Sequence, residues 1–438
     1  MEIRDPVHGS IYYSDPEVAV LDTAEYQRLR AIKQLGYAEF SFPGATHNRY
    51  IHSVGVGHLA GITFDSIFKL HPFSKPSVKT RFRQVLRLAA LLHDVGHGPL
   101  SHTTEQVMPP LADLNIKIYE DQAHLSSQAA TVMNKNRRAN HEDYTIKYVT
   151  DSQIAKTIRE NFSDIQPLHV ACLIDKSLHC PDDFFVDSGI DFRPILSQLV
   201  SSELDVDRMD YLERDSYFCG TNYGKIDLSW LIQNMTFHLL EGKMFLALNR
   251  RALYSFDDFL ISRHHMHLMV YCHHKSIIYE EMLNRYLTSA DCTFVLPGDI
   301  NEYTKYNDYR LHEHLSTSSN TWAQRIAQRK PFKVLIEQHN TEESTKPELL
   351  KKAVEAADIE VIRTSSKNRL SKYHTASPEE KALQIYVVDQ YDRWDQPAPI
   401  NQSTEIFQRY AGARIIDRLY VAPENFAAAE KIIKTVKL

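Results

Sequence analysis

The stretch LLHDVGHGPLSH, residues 91–102, decides the fold and carries the densest chemical pattern of the chain. It closes an almost wholly apolar run, LAALL at residues 88–92, which predicts a buried central helix that ends here. His93 and Asp94 follow, and an ionisable Asp at such a place costs several kcal/mol unless something pairs with it. A divalent metal binds imidazole nitrogen and carboxylate oxygen together. The alternative is a helix-terminal His near the helix dipole, with Asp94 in a local salt bridge.

Apolar residues on either side of this stretch recur with helical spacing. They predict helices over residues 16–34, with Asp15 as the N-cap, and over residues 52–70 and 78–93. Mostly helical patterns continue as far as Asp215, a short hairpin is expected at residues 236–248 with its turn at Gly242, and a long helix at residues 251–287. The sequence therefore predicts a mainly α fold with a helical core and one short hairpin.

The pattern changes after about residue 315. Strand-like runs at residues 332–337, 359–363, 383–388 and 415–421 alternate with helical runs at residues 346–356 and 425–435. Such alternation is typical of an α/β arrangement. We therefore expect a catalytic core at residues 1–314 and a small α/β region at residues 315–438.

Composition excludes several classes of protein. The chain has 438 residues, of which 43% are hydrophobic and 24% charged, with 14 Gly and 18 Pro, so disorder and low complexity are not expected. A net charge of −6 gives no electrostatic reason for tight duplex binding, although a local basic groove is not excluded. Five cysteines without CxxC spacing argue against a disulfide framework and a thiolate zinc site. With neither a membrane-length apolar run nor a secretory signal, a cytoplasmic location is expected.

Five sequence blocks with a fixed order carry a resemblance to a known family. They are DPVHG at residues 5–9, QRLR at 27–30, FPGATHNRYIHS at 42–53, HDVGHGPLSH at 93–102 and ELDVDRMDYLERDS at 203–216. This set resembles the HD-domain dNTP triphosphohydrolases, a family that includes bacterial dGTPases and a human SAM-and-HD-domain enzyme. The resemblance covers roughly residues 1–287 and implies an HD-domain helical core.

The resemblance implies one metal site. The positions that match the family's ligands are His52, His93, Asp94 and Asp207. Two nitrogens and two oxygens suit one divalent ion, but Mn, Fe, Mg, Ni and Zn all accept such a set. The metal itself is therefore not identified.

Histidines and one glutamate next to the HD pair form a candidate proton-transfer group. Glu105 lies three residues after His102, a spacing that can hold a carboxylate against an imidazole and raise its basicity. The alternative for Glu105 is a first-turn helix acid that the dipole favours. The resemblance implies a His–Glu dyad here, and it adds His141 of the segment NHEDYT as a second catalytic His. His97, which lies between the HD pair and His102, is a further catalytic candidate.

Two helical stripes and a few upstream residues are candidates for substrate binding. Positions 207, 211 and 215 share one helical face, and so do positions 263, 267 and 271. Each stripe has the alternative of a core-facing aromatic flanked by surface charges. The resemblance assigns both stripes to substrate and implies the binding set Gln34, Leu35, Arg49, Arg208, Tyr211, Asp215, Arg263, His267 and Tyr271.

The resemblance implies hydrolysis of deoxynucleoside triphosphates to deoxynucleoside and triphosphate in one step. Arg49 would bind phosphate through its planar guanidinium, and His102 with Glu105, or His141, would transfer protons. An apolar wall of Leu35 and Tyr271 would favour deoxyribose, because it leaves a 2′-hydroxyl without a hydrogen bond. The alternatives are another HD phosphohydrolase, such as a phosphodiesterase or single-strand nuclease, and a nucleotide-sensing module with weak catalysis.

Partners are implied by the same resemblance. They are nucleoside triphosphates and further copies of the chain, as a homo-oligomeric dimer or tetramer. Asp22, Gln27 and Arg30 match residues that bind a guanine nucleotide at an allosteric activator site in the family. The alternative for these three is an amphipathic helix whose polar groups are solvated.

Overall fold

The computed structural model describes residues 1–125, 133–134, 136–368, 384–389, 391, 396–410 and 412–436. Helices dominate these ranges. The α-helices are Asp15–Leu21, Ala24–Gln27, Arg49–Ile67, Pro76–Leu92, Lys117–Gln122, His141–Thr150, Gln153–Asn161, Pro167–Ile174, Arg193–Val200, Val206–Cys219, Leu228–Gln233, Leu253–Met266, His274–Leu287, Ile300–Tyr303, Asp308–Thr317, Thr321–Ala327, Lys346–Glu355, Ile400–Ser403, Ile406–Arg409 and Phe426–Thr435. Short 3₁₀ segments are Arg28–Ala31, Gly36–Phe40, Ser101–Val107, Leu111–Leu114, Arg250–Ala252 and Pro423–Asn425.

Three helices form the centre of the molecule. The Arg49–Ile67 helix packs against Pro76–Leu92 on one side and against Val206–Cys219 on another. Residues 85–92 are all buried, which confirms the buried central helix that the run LAALL predicts. Arg87 is the charged member of this run, and its Nε lies 2.5 Å from a carboxylate oxygen of Glu17, so the burial of each charge is compensated by the other.

The first predicted helix is wrong in its length and its cap. The helix begins at Asp15 with Ser14 as N-cap, and Glu17 accepts hydrogen bonds from the Ser14 backbone N–H and hydroxyl at 2.9 and 2.8 Å. The helix ends at Leu21, because Thr23 has an extended backbone with φ −66° and ψ 146° and starts the next short helix. The following helices begin at Arg49 and Pro76, a few residues before the predicted starts.

The long helix predicted at residues 251–287 is interrupted. Leu253–Met266 runs into a π-helical turn at His267–Tyr271, and a new helix occupies His274–Leu287. The break is at His273, whose backbone is extended and whose ring nitrogen accepts from the Lys275 backbone N–H at 3.3 Å. A capping side chain therefore competes with helix continuation at this point.

The predicted hairpin is confirmed. The strands Met235–Leu240 and Lys243–Asn249 pair in antiparallel fashion, and Gly242 turns the chain with φ +74°. Lys243–Asn249 also pairs with Ile190–Asp191 and Tyr386–Val388 in a mixed sheet that Val186–Asp187 and Ala398–Pro399 extend. A separate two-stranded sheet, Glu2–Asp5 with Gly9–Tyr12, lies at the N-terminus.

The C-terminal part contains an α/β unit. Its antiparallel sheet has the order Lys333–Asn340, Arg414–Val421, Val361–Asn368, and the helices Lys346–Glu355 and Phe426–Thr435 pack against it around their own apolar cluster. The strand predicted at residues 383–388 belongs elsewhere, since Tyr386–Val388 joins the hairpin sheet, and residue 383 lies outside the described residues. The mainly α fold with a C-terminal α/β region is thus confirmed, whereas the division between residues 314 and 315 stays a prediction. None of the described helices combines the length and apolar character needed to cross a bilayer.

Candidate metal and catalytic centre

Three side chains from three segments of the central helices point their ligand atoms at one another. An oxygen of Asp207 lies 3.1 Å from the Nε2 atom of His52 and 3.5 Å from that of His93. Both Nε2 atoms are buried and lack a hydrogen-bond partner among the described residues. An imidazole nitrogen that is buried without a partner is costly, so this arrangement fits a cation between the three groups.

The opposite ring nitrogens fix the tautomers that a metal requires. Nδ1 of His52 lies 2.7 Å from Asp210, and Nδ1 of His93 lies 2.8 Å from the carbonyl oxygen of Ala90. Because both partners are acceptors, the protons belong on Nδ1 and the lone pairs on Nε2 face the cluster. Burial opposes protonation, but the carboxylates of Asp207 and Asp210 on either side of the ring outweigh it and raise the pKa of His52 to about 10. The cluster therefore favours positive charge at its centre.

Asp94 borders this cluster and also contacts Arg49. One oxygen lies 3.3 Å from Nε2 of His93 and the other lies 3.5 Å from Nε2 of His52, while the Arg49 guanidinium forms an ion pair with the same carboxylate. Burial alone would raise the pKa of Asp94, but Arg49 and the neighbouring imidazoles hold it well below its ordinary value. The structure thus brings the four predicted ligands together, with Asp94 shared between the cluster and the guanidinium.

A second group of potential metal ligands is not arranged to bind a metal ion. His169, Cys180 and Asp182 also lie within ligand distance of one another. Nδ1 of His169, however, accepts from the Gln166 backbone N–H at 3.0 Å, so the proton resides on Nε2 and points at Asp182, 3.0 Å away. That nitrogen has no lone pair for a metal, and the group is satisfied as it stands.

The predicted catalytic histidines form one cluster around Glu105. A single oxygen of this carboxylate lies 2.8 Å from Nδ1 of His102 and also contacts Nδ1 of His141. The rings of His97 and His141 are stacked with centroids 3.9 Å apart. Burial opposes ionisation, yet hydrogen bonds from the two imidazoles lower the pKa of Glu105 to about 2, so it is ionised at neutral pH.

An ionised Glu105 determines where the protons of its partners reside. A carboxylate only accepts, so His102 and His141 both donate from Nδ1, and neither Nε2 is engaged by Glu105. His97 joins this cluster to the metal ligands, because its Nε2 lies 3.3 Å from Asp94. Glu105 lies within the 3₁₀ segment Ser101–Val107, and its catalytic role stays a prediction.

The predicted stripe on the Val206–Cys219 helix meets the later stripe at a hydrogen bond. The Tyr271 hydroxyl donates to Asp215 at 2.8 Å, and the rings of Tyr211 and Tyr271 are in contact with centroids 6.3 Å apart. The π-helical turn supplies Tyr271, and His267 lies at its start. The two stripes therefore meet in direct contact at Tyr271.

Other predicted substrate residues are held by neighbouring acids or line a cavity. Arg208 contacts Asp205 at 2.5 Å, and Arg263 contacts Glu203 at 2.8 Å. The side-chain oxygen of Gln34 is buried without a partner among the described residues. Together with other residues, Gln34 and Leu35 line a cavity that Tyr271 and His102 also border.

The three residues predicted for an activator lie on the outside of the N-terminal helices. Asp22 and Arg30 are exposed. Arg30 donates to the Gln27 side chain at 2.8 Å and covers the Tyr50 ring with its guanidinium 3.5 Å from the centroid. These three residues surround the Tyr50 ring at the protein surface, and their role in binding an activator stays a prediction.

Sequence reasoning missed the residues behind the ligands. Asp210 contacts Nδ1 of His52 and Nε2 of His8, and the buried Arg214 bridges Asp210 to Asp5. His47 lies 2.7 Å from Asp215. The signal was present in the blocks DPVHG and DRMDYLERD, where acids and histidines recur, but nothing in one sequence says which acid meets which ring.

The helical core with a His–Asp cluster at the end of its buried helix defines an HD-domain protein. Family models agree, because an HD domain matches residues 49–215 and an HD associated region matches residues 226–364. The chain therefore belongs to the HD-domain proteins and carries the HD associated region.

Curated relatives and a solved structure extend the comparison. The uncharacterized protein YwfO of Bacillus subtilis is 30% identical over 289 residues, covering 66% of this chain and 55% of that protein. Human deoxynucleoside triphosphate triphosphohydrolase SAMHD1 is 27% identical over 331 residues, covering 70% of this chain and 49% of that protein. The chain thus spans about half the length of the curated relatives it matches. A crystal structure of a hypothetical protein from Aquifex aeolicus has the same fold, with a TM-score of 0.72, 24% identity and 99% coverage of both chains.

Proposed function

We propose that this protein is a metal-dependent hydrolase that converts deoxynucleoside triphosphates into deoxynucleosides and triphosphate. One observation carries the proposal: the two unpartnered Nε2 atoms of His52 and His93 lie beside Asp207, next to histidines that Glu105 orients. Similarity to proteins named deoxynucleoside triphosphate triphosphohydrolase supports the choice of substrate. The location in the cytoplasm stays a prediction, in keeping with five free cysteines.

The residues present fit one divalent cation. His52, His93, Asp94 and Asp207 would hold it, since each imidazole already presents a lone pair and each carboxylate an oxygen to the same point. A bound ion would supply Lewis acidity for the hydrolysis of a phosphate ester. Two nitrogens and two oxygens leave Mn, Fe, Mg, Ni and Zn as candidates.

Side chains around this site would bind and neutralise the phosphates. Arg49 is buried, with Nε donating to Ser101 at 2.7 Å, so its guanidinium is held in one orientation beside Asp94. Its planar donor fork suits phosphate oxygens. Arg208, on the ligand helix, offers a second guanidinium once it exchanges Asp205 for phosphate.

Proton transfer would fall to the imidazoles that Glu105 orients. The free Nε2 of His102 or His141 takes a proton from the attacking water or, once protonated, delivers one to the departing 5′-oxygen of the nucleoside. Ionised Glu105 stabilises the imidazolium that forms. His97 stacks on His141 and keeps that ring in place.

The sugar would lie between Leu35 and Tyr271, which border one cavity. Tyr271 is held by its hydrogen bond to Asp215, so the wall it presents is the ring rather than a free hydroxyl. A 2′-hydroxyl against this wall would lose hydrogen bonds, although an apolar surface alone gives only about 100-fold discrimination.

The test is to identify the first product by chromatography. Purified protein is incubated with each dNTP and with GTP in the presence of Mn²⁺, Fe²⁺, Mg²⁺, Ni²⁺ or Zn²⁺. The expected products from each dNTP are the deoxynucleoside and intact triphosphate. Asp207→Ala should abolish turnover and lower bound metal, whereas Asp258→Ala, at an exposed position on another helix, should retain both. A diphosphate or monophosphate as first product, or cleavage of phosphodiesters alone, would point to another HD phosphohydrolase.

Regulation and assembly are further parts of the proposal. We infer a homo-oligomer whose activator, a guanine nucleotide, binds the polar surface of Asp22, Gln27 and Arg30. Arg30 stacked on Tyr50 and bonded to Gln27 is already positioned to meet a base or a phosphate. If added GTP changes neither the mass of the protein in solution nor its turnover rate, this regulatory proposal is contradicted. The catalytic proposal is unaffected by that result.

A further inference from the structure

We propose that Ser276 and Glu280 form the floor of a nucleobase subsite and select guanine over adenine. The inference rests on the proposed function, because it places the base of a nucleoside triphosphate beyond the sugar wall of Leu35 and Tyr271. Neither residue belongs to the metal cluster or to the Glu105 cluster. Each would therefore act on substrate choice rather than on the chemical step.

The cavity that the sugar wall borders is lined by both apolar and polar side chains. It encloses about 170 Å³. Leu35 and Tyr271 border it together with Leu100, and His102 borders it from the proton-transfer cluster. Ser276 and Glu280 border it from the His274–Leu287 helix. A nucleoside whose 5′-oxygen faces His102 and whose sugar contacts Leu35 therefore directs its base into this cavity.

Three polar side chains of the cavity lack partners within the described residues. The Ser276 hydroxyl is buried and makes no hydrogen bond, and the Gln34 side-chain oxygen is in the same condition. Glu280 is half-buried, with neither a cation nor a hydrogen-bond donor against its carboxyl group. Burial raises the pKa of Glu280 to about 7. Groups left unsatisfied in this way point to a ligand that completes them.

The spacing of the two residues matches the Watson–Crick edge of guanine. Ser276 and Glu280 are four residues apart on one helix, so their side chains lie on the same face about 5–6 Å apart at Cβ. The hydroxyl can donate to O6 of guanine, and the carboxylate can accept from N1–H and from the N2 amine. Two donors aimed at an otherwise unpaired carboxylate also stabilise its ionised form.

Adenine presents the opposite pattern to the same two groups. It has an amine where guanine has O6, and an acceptor, N1, where guanine has N1–H. An ionised Glu280 would then face a lone pair and remain unsatisfied, so the selection against adenine depends on the ionised form that the two guanine donors stabilise. A site built around a hydrogen bond rejects a ligand that cannot make it far more strongly than an apolar site rejects an extra group.

The experiment compares kcat/KM for dGTP, dITP and dATP, since dITP keeps N1–H and O6 but lacks the N2 amine. The wild type should prefer dGTP over dITP by about 10-fold, the usual effect of one hydrogen bond to a charged group, and over dATP by more. Glu280→Gln should lower kcat/KM for dGTP by at least about 10-fold and reduce the dGTP-to-dITP ratio towards one. Glu281→Gln is the matched control, because its neighbour Glu281 contacts Arg285 on the same helix and should leave the ratio unchanged.

Three outcomes would overturn the inference. They are a wild type that hydrolyses dGTP and dITP equally, a Glu280→Gln variant with an unchanged ratio, and a variant that loses activity towards all three nucleotides by the same factor. If the wild type hydrolyses none of them, the proposed function fails, and the subsite is then tested by the ratio of calorimetric Kd values for dGTP and dITP. Ser276→Ala removes the donor to O6 and should lower kcat/KM for dGTP and dITP by the same factor. This variant provides the test if Glu280→Gln fails to fold.

Discussion

At the scale of single residues, Asp210 lies at the centre of a buried charge network. Its Oδ2 contacts Nδ1 of His52 and Nε of Arg214, both at 2.7 Å, and its Oδ1 lies 2.6 Å from Nε2 of His8. Burial would raise the pKa of Asp210, but Arg214 and the two imidazoles hold it well below its ordinary value. The ionised carboxylate thereby fixes the tautomer of His52 without touching the metal position.

We expect Asp210→Asn to weaken metal binding by about 10–100-fold, the usual loss when a partner behind a metal-bound histidine is changed. The amide keeps the shape but removes the charge, so His52 is a poorer ligand and Arg214 loses part of its compensation. Competition against a chelator measures the affinity. Asp258→Asn is the control, and a change within about threefold for Asp210→Asn would contradict the orienting role.

Glu105 gives a second prediction at this scale. Glu105→Gln should lower kcat by about 10²–10⁴, because an amide can accept from one imidazole but must turn its NH₂ towards the other, whose tautomer then changes. The exposed Glu142 provides the control Glu142→Gln. Unchanged kcat with the same metal content would show that the cluster is only structural.

The pH dependence of Glu105 follows from its lowered pKa. The folded-state pKa of about 2 lies below the ordinary value of 4.5, so the carboxylate stabilises the fold above pH 4.5, and this contribution disappears as the pH falls towards 2. The Tm difference between wild type and Glu105→Gln should accordingly shrink on acidification. The pH–rate profile should show no inflection from this group above about pH 4.

The sequence identifies the candidate metal ligands, but it does not identify the residues that hydrogen-bond to those ligands. His52, His93, Asp94 and Asp207 were implied as a set by the family resemblance of the sequence blocks, and the structure brings them together. Asp210 stands only three residues after Asp207 and looks equivalent in sequence. What separates them is helix rotation, since Asp207 is partly exposed at the cleft and Asp210 is wholly buried. The orientation of this helix about its own axis cannot be derived from a single sequence.

At the scale of elements, the contact between the Arg49–Ile67 and Val206–Cys219 helices depends on Gly55. A Cβ added to Gly55 would collide with the Asp210 carboxylate and the Arg214 guanidinium. Both groups are fixed by buried ion pairs and cannot move aside cheaply. The close approach of the two helices brings His52 to Asp207.

We therefore expect Gly55→Ala to destabilise the protein by about 1–3 kcal/mol, the usual cost of overfilling a packed interior. Alanine gains about 1 kcal/mol in helix propensity, which the clash outweighs. Ile62→Ala on the same helix is the control, because Ile62 is 42% exposed and surface changes usually stay within about 0.5 kcal/mol. Denaturant titration measures both, and equal stability for the two variants would contradict this account of the helix contact.

Element boundaries also show where sequence patterns fail. The apolar periodicity of residues 251–287 is nearly continuous and therefore predicts one helix. Residues 251–287 contain no Pro or Gly that would indicate the π-helical turn at His267–Tyr271. The interruption depends on the cap that His273 forms and on Tyr271 reaching Asp215, which is 56 residues away in sequence. The apolar pattern within one segment carries no information about a contact with a residue so far away in sequence.

At the scale of the whole molecule, the metal position joins parts of the chain that are far apart. His52, His93 and Asp207 belong to the three central helices, so a bound ion would link segments separated by more than a hundred residues. The unfolded chain offers no such arrangement. Binding free energy at this site is therefore also folding free energy.

The last prediction concerns heat stability with and without metal. An ion that binds only the folded state at 100 times its Kd adds about 2.7 kcal/mol, which raises Tm by a few degrees. Scanning calorimetry of the chelated and the metal-loaded protein measures this rise. It should vanish in Asp207→Ala, which removes the oxygen that lies 3.1 Å from Nε2 of His52 and 3.5 Å from Nε2 of His93. It should persist in Asp182→Ala, because Nε2 of His169 carries a proton and offers no lone pair. A rise that survives Asp207→Ala and disappears in Asp182→Ala would move the metal to the other cluster and remove the chemical basis of the proposed activity.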